Sequence, residues 1–359
     1  MLKILQVVYV IAILSLPQIL VAQDDPCIEP RNSYAEDNVV DIHWSPSDTE
    51  LYVSTMGKVS VYEMDGDDSQ VVIHEFCAGR FPEIAVSDSY YAVGSDFLPI
   101  VSVYDTETNN LVYQLDIDSE NVRSISFNQT ENLIAVSKSN YDEGGFFDID
   151  RNIEVWDFQN GEVLATLMPE ENLDSLYLPF DTDVAFLEEN LVLITGVDQE
   201  DAFVSTQPFV MVWNWRTGEI SDSGIEANTL LQVIDSWRLV IIDSDQDSKI
   251  SLQLMRLQQD FHLEESHIYD IEIEDMLMTR FSVNAYDSLL AIENAEGHIW
   301  IIDLAKQKIV LYREFERFAN SISFDHAGQH LALGYHDGTL EVWDIQNDTI
   351  ALIGHVFAR

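Results

Sequence analysis

The sequence predicts an all-β fold, a closed radial array of short four-stranded antiparallel sheets. Three observations predict it. Seven strand-like endings recur: Val59 to Tyr62, Val101 to Asp105, Ile153 to Asp157, Val210 to Asn214, Ile250 to Leu254, Ile299 to Asp303 and Leu340 to Asp344. Their aligned positions, Tyr62, Tyr104, Trp156, Trp213, Leu254, Ile302 and Trp343, are spaced by 42, 52, 57, 41, 48 and 41 residues, the length of one sheet in a radial repeat. Between the endings the apolar runs are short, rich in Val and Ile, and cut by Gly, Pro, Asp and Ser turns, so helix signals are weak.

The repeats follow in order. In the first, Val39 to Trp44, Leu51 to Ser54, Val59 to Tyr62 and Val71 to Phe76 read as strands, turned at Ser45-Pro46-Ser47-Asp48 and Gly57-Lys58. The second runs from Ile84 to Asp116 through Tyr90 to Val93, Ile100 to Tyr104 and Leu111 to Leu115. The third has Val122 to Phe127, Leu133 to Val136, an inserted loop from Ser139 to Arg151, Ile153 to Phe158 and Val163 to Leu167. Pro169 to Pro179 connects it to the fourth, where Val184 to Leu187 and Leu191 to Thr195 precede a second insertion, Gly196 to Pro208, before Phe209 to Trp215.

The fifth is the most divergent: Leu230 to Ile234, Leu239 to Ile242, an acidic turn, then Ile250 to Leu254. The sixth uses Met276 to Val283, Leu289 to Ile292 and His298 to Leu304. The seventh is the clearest, with Ser321 to Phe324, Leu331 to Gly334, Leu340 to Ile345 and Thr349 to Ile353. A repeat of that quality near the chain end argues that the ring closes and leaves no frayed sheet edge.

Composition sets further bounds. Hydrophobic residues make up 47% of the chain, enough to exclude general disorder. Seven Trp, 14 Tyr and 17 Phe supply large groups for packing between sheets. The 64 Asp and Glu against 17 Lys and Arg give a formal charge of −47, spread throughout rather than held in a tail. Such a field repels nucleic-acid phosphates and anionic lipid headgroups, so direct DNA or RNA binding is not expected. The plain role for this surface is solubility; adaptation to high salt, divalent cations or a basic partner are sharper ones.

Lys3, the mostly apolar stretch Ile4 to Leu20 and the small residue Ala22 read as a secretory signal over residues 1–22, with an uncleaved membrane anchor as the rival. Residues 23–37 read as a polar N-terminal arm and 38–359 as the repeat array. A secreted or periplasmic location follows, with no stable membrane insertion once the signal is cleaved and a monomer as the expected state. After export Cys27 and Cys77 could form one disulfide. It would close a loop of about 50 residues and stabilise by roughly 3–4 kcal/mol in the chain-entropy model. Two partly buried thiols are the alternative.

The residues from Ser323 to Asp344, SFDHAGQHLALGYHDGTLEVWD, closely resemble a WD40 repeat. Ser126-Phe127-Asn128 through Ser137, followed by Val155-Trp156-Asp157, resembles one well, and Ser45-Pro46 through Val53 with Val61-Tyr62 more loosely. The resemblance spans about residues 38 to 355. It implies a seven-bladed β-propeller and, most often, a platform that binds other macromolecules. Gly354-His355 lies too late to open a repeat in the way the family's Gly-His signature does. In physical terms Asp337-Gly338 makes a tight hairpin turn, Trp343 offers a wide apolar surface to the next blade, and Asp344 can accept backbone donors as its strand ends. Trp156, Asp157 and Trp213 occupy matching places, and all these residues read as structural.

No catalytic constellation stands out. The nine His residues show no metal-ligand spacing, no cysteine lies in a CxxC, and no phosphate loop or serine elbow is present. Asp243, Asp245 and Asp247 alternate like the donors of a calcium loop. However, Ser248 stands where Gly is needed and Leu254 where the bidentate Glu should be, so the pattern is at best a weak calcium site and no cofactor is expected. The expected function is therefore a non-catalytic protein-binding platform, with contacts on the two insertions. Tyr141, Phe146, Phe147 and Asp148 are the candidates in the third repeat, and Gln199, Asp201, Phe203 and Gln207 in the fourth. A basic protein is the expected partner. The alternative is a carboxylate-based hydrolase or carbohydrate-binding propeller.

Overall fold

A computed structural model describes residues 38–355 except 65–70, 78–79, 97, 119–120, 129, 142–147, 169–182, 200–205, 223–228, 236–237, 245–248, 258–262, 273–277, 285–288 and 307. The described residues form 28 strands and no helix. In chain order they are β1 Val39–Trp44, β2 Glu50–Thr55, β3 Lys58–Glu63, β4 Val71–Cys77, β5 Arg80–Val86, β6 Tyr90–Asp96, β7 Leu98–Asp105 and β8 Leu111–Asp116. Next come β9 Asn121–Phe127, β10 Leu133–Tyr141, β11 Asp148–Asp157, β12 Glu162–Leu167, β13 Asp183–Glu188, β14 Leu191–Gln199, β15 Thr206–Asn214 and β16 Glu219–Asp222. The remainder are β17 Thr229–Asp235, β18 Arg238–Ser244, β19 Lys249–Leu257, β20 Leu263–Glu272, β21 Met278–Asn284, β22 Leu289–Asn294, β23 His298–Asp303, β24 Lys308–Glu314, β25 Ser321–Phe324, β26 His330–Gly334, β27 Thr339–Asp344 and β28 Thr349–His355.

The strands assemble into six antiparallel sheets, five of four strands in sequential order and one of eight. The eight-stranded sheet holds two meanders, β5 to β8 and β9 to β12, joined by a single bridge between Asp96 and Asn121. The repeat spacing had pointed to separate sheets; a lateral bridge between neighbouring meanders carries no sequence signature. The structure also supplies fourth strands that the sequence reading did not place: Glu219–Asp222, Leu263–Glu272 and Lys308–Glu314. It shortens both insertions as well. The ladder runs to Tyr141 and resumes at Asp148, and runs to Gln199 and resumes at Thr206, so the expected loops are mostly hairpin extensions.

The sheets are arranged radially. The first strand of each meander touches the first strand of the next, from β1 through β5, β9, β13, β17 and β21 to β25, and β25 returns to β1. Where their side chains are described, the middle strands are buried on both faces, and their two-residue alternation divides side chains between two cores. Leu133 and Ala135 pack toward the sheet of β13 to β16 with Val192, Ile194 and Trp213. Ile134 and Val136, one residue out of phase, pack toward β5 to β8 with Val103, Leu115 and Phe158. Leu51 and Val53 likewise join Ala332 and Val342 of the last sheet, while Tyr52 faces the second meander and meets the Tyr91 ring at 4.9 Å.

Among the described residues closure uses no exchanged strand: the last sheet is built from β25 to β28. First and last sheets meet through the Val39, Ile42, Trp44, Ala332 and Leu340 core. Polar bridges cross the same joint: Val39 N donates to Tyr335 O at 3.2 Å, and Trp44 Nε1 to Ser323 O at 3.0 Å. Asn320 binds Asn38 and donates to Val39 O.

Turn chemistry repeats around the ring. Asp105, Asp157, Asn214, Asp303 and Asp344 each end a third strand, and each side-chain oxygen accepts the backbone N–H three residues on. At the β26–β27 turn Gly338 adopts φ +75°, which a side chain would resist, and Asp337 accepts from Thr339 N. Trp343 is fully buried, yet among the described residues its Nε1 has no acceptor, unlike that of Trp156, which donates to Glu154.

The closing joint has no spare room. A Cβ on Gly334 would lie 2.4 Å from Val39 Cγ1. We expect Gly334→Ala to destabilise by roughly 1–3 kcal/mol through overpacking. Adding Val39→Ala should recover part of the lost melting temperature, as thermal unfolding of the single and double variants would show.

Candidate functional site

A cavity of about 600 Å³ occupies the axis of the ring, walled by residues of β1, β5, β9, β13, β21 and β25. Its charged residues are Asp41 and His43 from β1, Glu83 from β5, Arg123 from β9, Asp183 from β13 and Arg280 from β21. Charge sign alternates across the neighbouring strands β5, β9 and β13. On a chain of charge −47 the cavity is thus close to balanced.

His43 Nε2 and Asp41 Oδ2 lie 2.6 Å apart, and Ser321 Oγ reaches Asp41 Oδ1 at 3.5 Å. Burial alone would push the Asp41 carboxyl up, but attraction and hydrogen bonding to His43 outweigh it and hold the group below the usual carboxylate range. Burial also opposes the charged form of His43, and Asp41 overrides it, so the imidazole titrates above its ordinary value. About a third of each side chain still meets the cavity. Arg280 is paired in register with Glu293 of β22, and its Nε donates to Asn320 O. Glu293 is nearly inaccessible and accepts from Ala319 N at 2.7 Å. Burial pushes its carboxyl up to about 7 against the pull of that bond and of Arg280.

The second feature is a pair of neighbouring long hairpins, β10–β11 and β14–β15, on sheets in contact through β9, β10 and β13. Each joins the second and third strands of its meander, so both reach toward the same end of the ring. The base of the first is pinned internally. Lys138 Nζ lies 2.8 Å from Glu154 Oε1, with the side chains only 5% and 11% exposed. Lys138 also donates to Ile117 O, and Glu154 Oε2 accepts from Trp156 Nε1 at 2.9 Å.

The sequence candidates fall on these hairpins and their tips. Tyr141 and Asp148 face each other at the last described rung of β10–β11. Gln199 ends β14 opposite Thr206, and Gln207 pairs with Asp198. Phe146, Phe147, Asp201 and Phe203 lie outside the described residues, as do Asp245, Asp247, Cys27 and the segments 1–22 and 23–37. Asp243 sits within β18, between Thr229 and Ser251, and Cys77 ends β4 opposite Lys58. Among the described residues no three His, Cys, Asp or Glu side chains converge as metal ligands. The sequence reading missed the axial groups. Their available signal was position: each is a charged residue on the first strand of its repeat.

Residues 263–354 match the family model of the Anaphase-promoting complex subunit 4 WD40 domain. Among solved structures, that of U3-55K is similar with a TM-score of 0.59 and 12% identity, over 83% of this chain and 88% of that one. The crystal structure of the RRP9 WD40 repeats is similar with a TM-score of 0.58 and 13% identity, over 83% and 87%. At such identities the likeness is one of fold. No curated protein matches the sequence.

Two measurements test these electrostatics. Lys138→Met leaves the Glu154 carboxylate buried without its cation and should cost about 3–5 kcal/mol, whereas Lys138→Met/Glu154→Leu should recover most of it in denaturant titrations. For Glu293 the folded state holds its proton to higher pH than the unfolded chain does. Its contribution is full below the ordinary value of 4.5 and is lost as pH rises to about 7. A Glu293→Gln variant should therefore show a flatter decline in stability across that window.

Proposed function

We propose that the chain is a WD40-repeat propeller of seven four-stranded blades acting as a rigid, non-catalytic platform for a protein partner, a reading supported by the fold around the ring and by the sequence match over residues 263–354. Counting the joined meanders β5 to β8 and β9 to β12 as two blades supports seven. The observation that carries the binding reading is the pair of extended hairpins standing side by side at one end of the ring. Loops on a rigid β scaffold are where binding surfaces concentrate.

Tyr141, Phe146, Phe147 and Asp148, with Gln199, Asp201, Phe203 and Gln207, are the proposed contacts, an aromatic anchor rimmed by acids and amides. The charge of −47 favours a basic partner and rejects phosphate backbones. The leader-like residues 1–22 support export, and the platform then works outside the cytoplasm as a monomer.

One observation favours the alternative of a carboxylate hydrolase or carbohydrate-binding propeller: Asp41, Glu83 and Asp183 share one cavity. Asp41 is, however, committed to His43, and Arg123 and Arg280 stand in the same wall.

The platform is tested by co-purification of the mature, exported protein and by the salt dependence of what it captures. A correctly folded Phe146→Asp/Phe147→Asp variant should lose the partner by ten-fold or more, an interface hot-spot effect of about 1.4 kcal/mol or above. Undiminished recovery by that variant would reject the proposed anchor.

A further inference from the structure

Three Asp–His pairs converge on the joint where first and last sheets meet. Asp41 and His43 lie on β1, with Ser321 of β25 against Asp41. Asp48, in the β1–β2 turn, accepts from His326 N at 2.7 Å and Ala327 N at 2.9 Å across the joint, and His326 Nδ1 lies 2.9 Å from the same carboxylate. Asp325 accepts from Gln329 N and His330 N, with His330 Nδ1 at 2.7 Å. The His330 ring also lies 6.2 Å from that of Trp44, the indole that bonds Ser323 O across the joint.

Two features shape this joint. Among the described residues no strand is exchanged across it, so its polar connections come from isolated bonds. Asp48 is held at φ +58°, in the left-handed region that costs a residue with a Cβ some backbone strain. Its three bonds to the last sheet are what that conformation presents.

We propose that the closing joint is a proton-operated latch, tightened when His43 and His330 are charged against the carboxylates of Asp41, Asp48 and Asp325 and loosened when they are neutral. The groups facing each histidine are acidic with few exceptions. His330 faces Asp325 in its own turn, Asp344 on β27 and Asp48 from the first sheet. His326 faces Asp48. His43 faces Asp41, and its cavity also holds Glu83, Asp183, Arg123 and Arg280. The Asp325 bond and the surrounding carboxylates hold His330 above its usual value despite partial burial, and Asp41 does the same for His43.

The sign follows from linkage. A histidine raised in the folded state contributes fully below its unfolded value near 6.5, and the contribution disappears as pH climbs through the folded value. Asp41, held low, remains ionised throughout this range. The latch is therefore closed in mildly acidic surroundings and weakens at neutral to alkaline pH. It concerns ring closure alone and does not depend on the partner reading above.

Amide hydrogen exchange of the full chain, corrected for intrinsic rates between pH 5.5 and 8.5, tests it. Protection of Val39, Trp44, His326 and Ala327 amides should fall by up to about ten-fold per pH unit for each coupled proton, while β13 to β15 amides stay level. His330→Gln and Asp48→Asn should each reduce that local pH dependence. Because Asp48→Asn also touches a strained turn, His330→Gln, within the last sheet, is the deciding variant. Equal pH dependence at the joint and in β13 to β15, or variants with the parent's profile at the joint, would overturn the latch.

Discussion

Every sheet in this ring depends on having a neighbour on each side. The middle strands send alternate side chains into two different cores, so a sheet lacking one neighbour would expose half of its Leu, Val, Ile and Trp surface. That constraint makes the meeting of β1 to β3 with β26 and β27 a requirement of the whole architecture. At about 25 cal/mol per Å² of apolar surface buried, one unpaired sheet face is a penalty comparable to the net stability of an ordinary domain. The ring meets the requirement with side-chain packing and scattered bonds instead of a shared ladder.

The charge balance is distributed to match. With so few cations, several are placed where they bind structure together. Lys138 is enclosed with Glu154. Arg317 stacks 3.8 Å over Tyr335 and contacts Asp337 and Glu341, and Arg313 meets Asp348. Of these pairs only Lys138–Glu154 is enclosed, where desolvation makes a lost partner costly; the Arg317 pairs are more exposed and tie a turn to its strands. The acidic excess remains on the outside, where it keeps the protein soluble and biases which partners approach.

The sequence made the inner half of each sheet legible and the outer half poorly so. Third strands such as Glu341-Val342-Trp343 alternate cleanly because both faces are buried, and their terminal Asp or Asn has a turn to build. Fourth strands do not: Glu162–Leu167 and Lys308–Glu314 are mostly exposed, and exposed strands need no apolar alternation. The first insertion reads as a loop on Gly144, Gly145 and its acidic residues. What the composition could not reveal is that Lys138 and Ser139 are buried in a ladder, the lysine against Glu154. The axial residues were hidden for a related reason. Asp41, Glu83, Arg123 and Asp183 have the look of solvent-facing residues, and only the closing of the ring turns that solvent into a shared cavity.

The division of one strand between two cores has an evolutionary corollary. Inserting or deleting a single residue within Leu133–Val136 would send each downstream side chain to the opposite neighbour, damaging two seams at once. Growth by indels is thus confined to the hairpin tips and inter-sheet crossings, where the uneven repeat lengths already lie. New specificity in this scaffold would therefore arise at the rim of the ring, while its strands diverge by substitution alone.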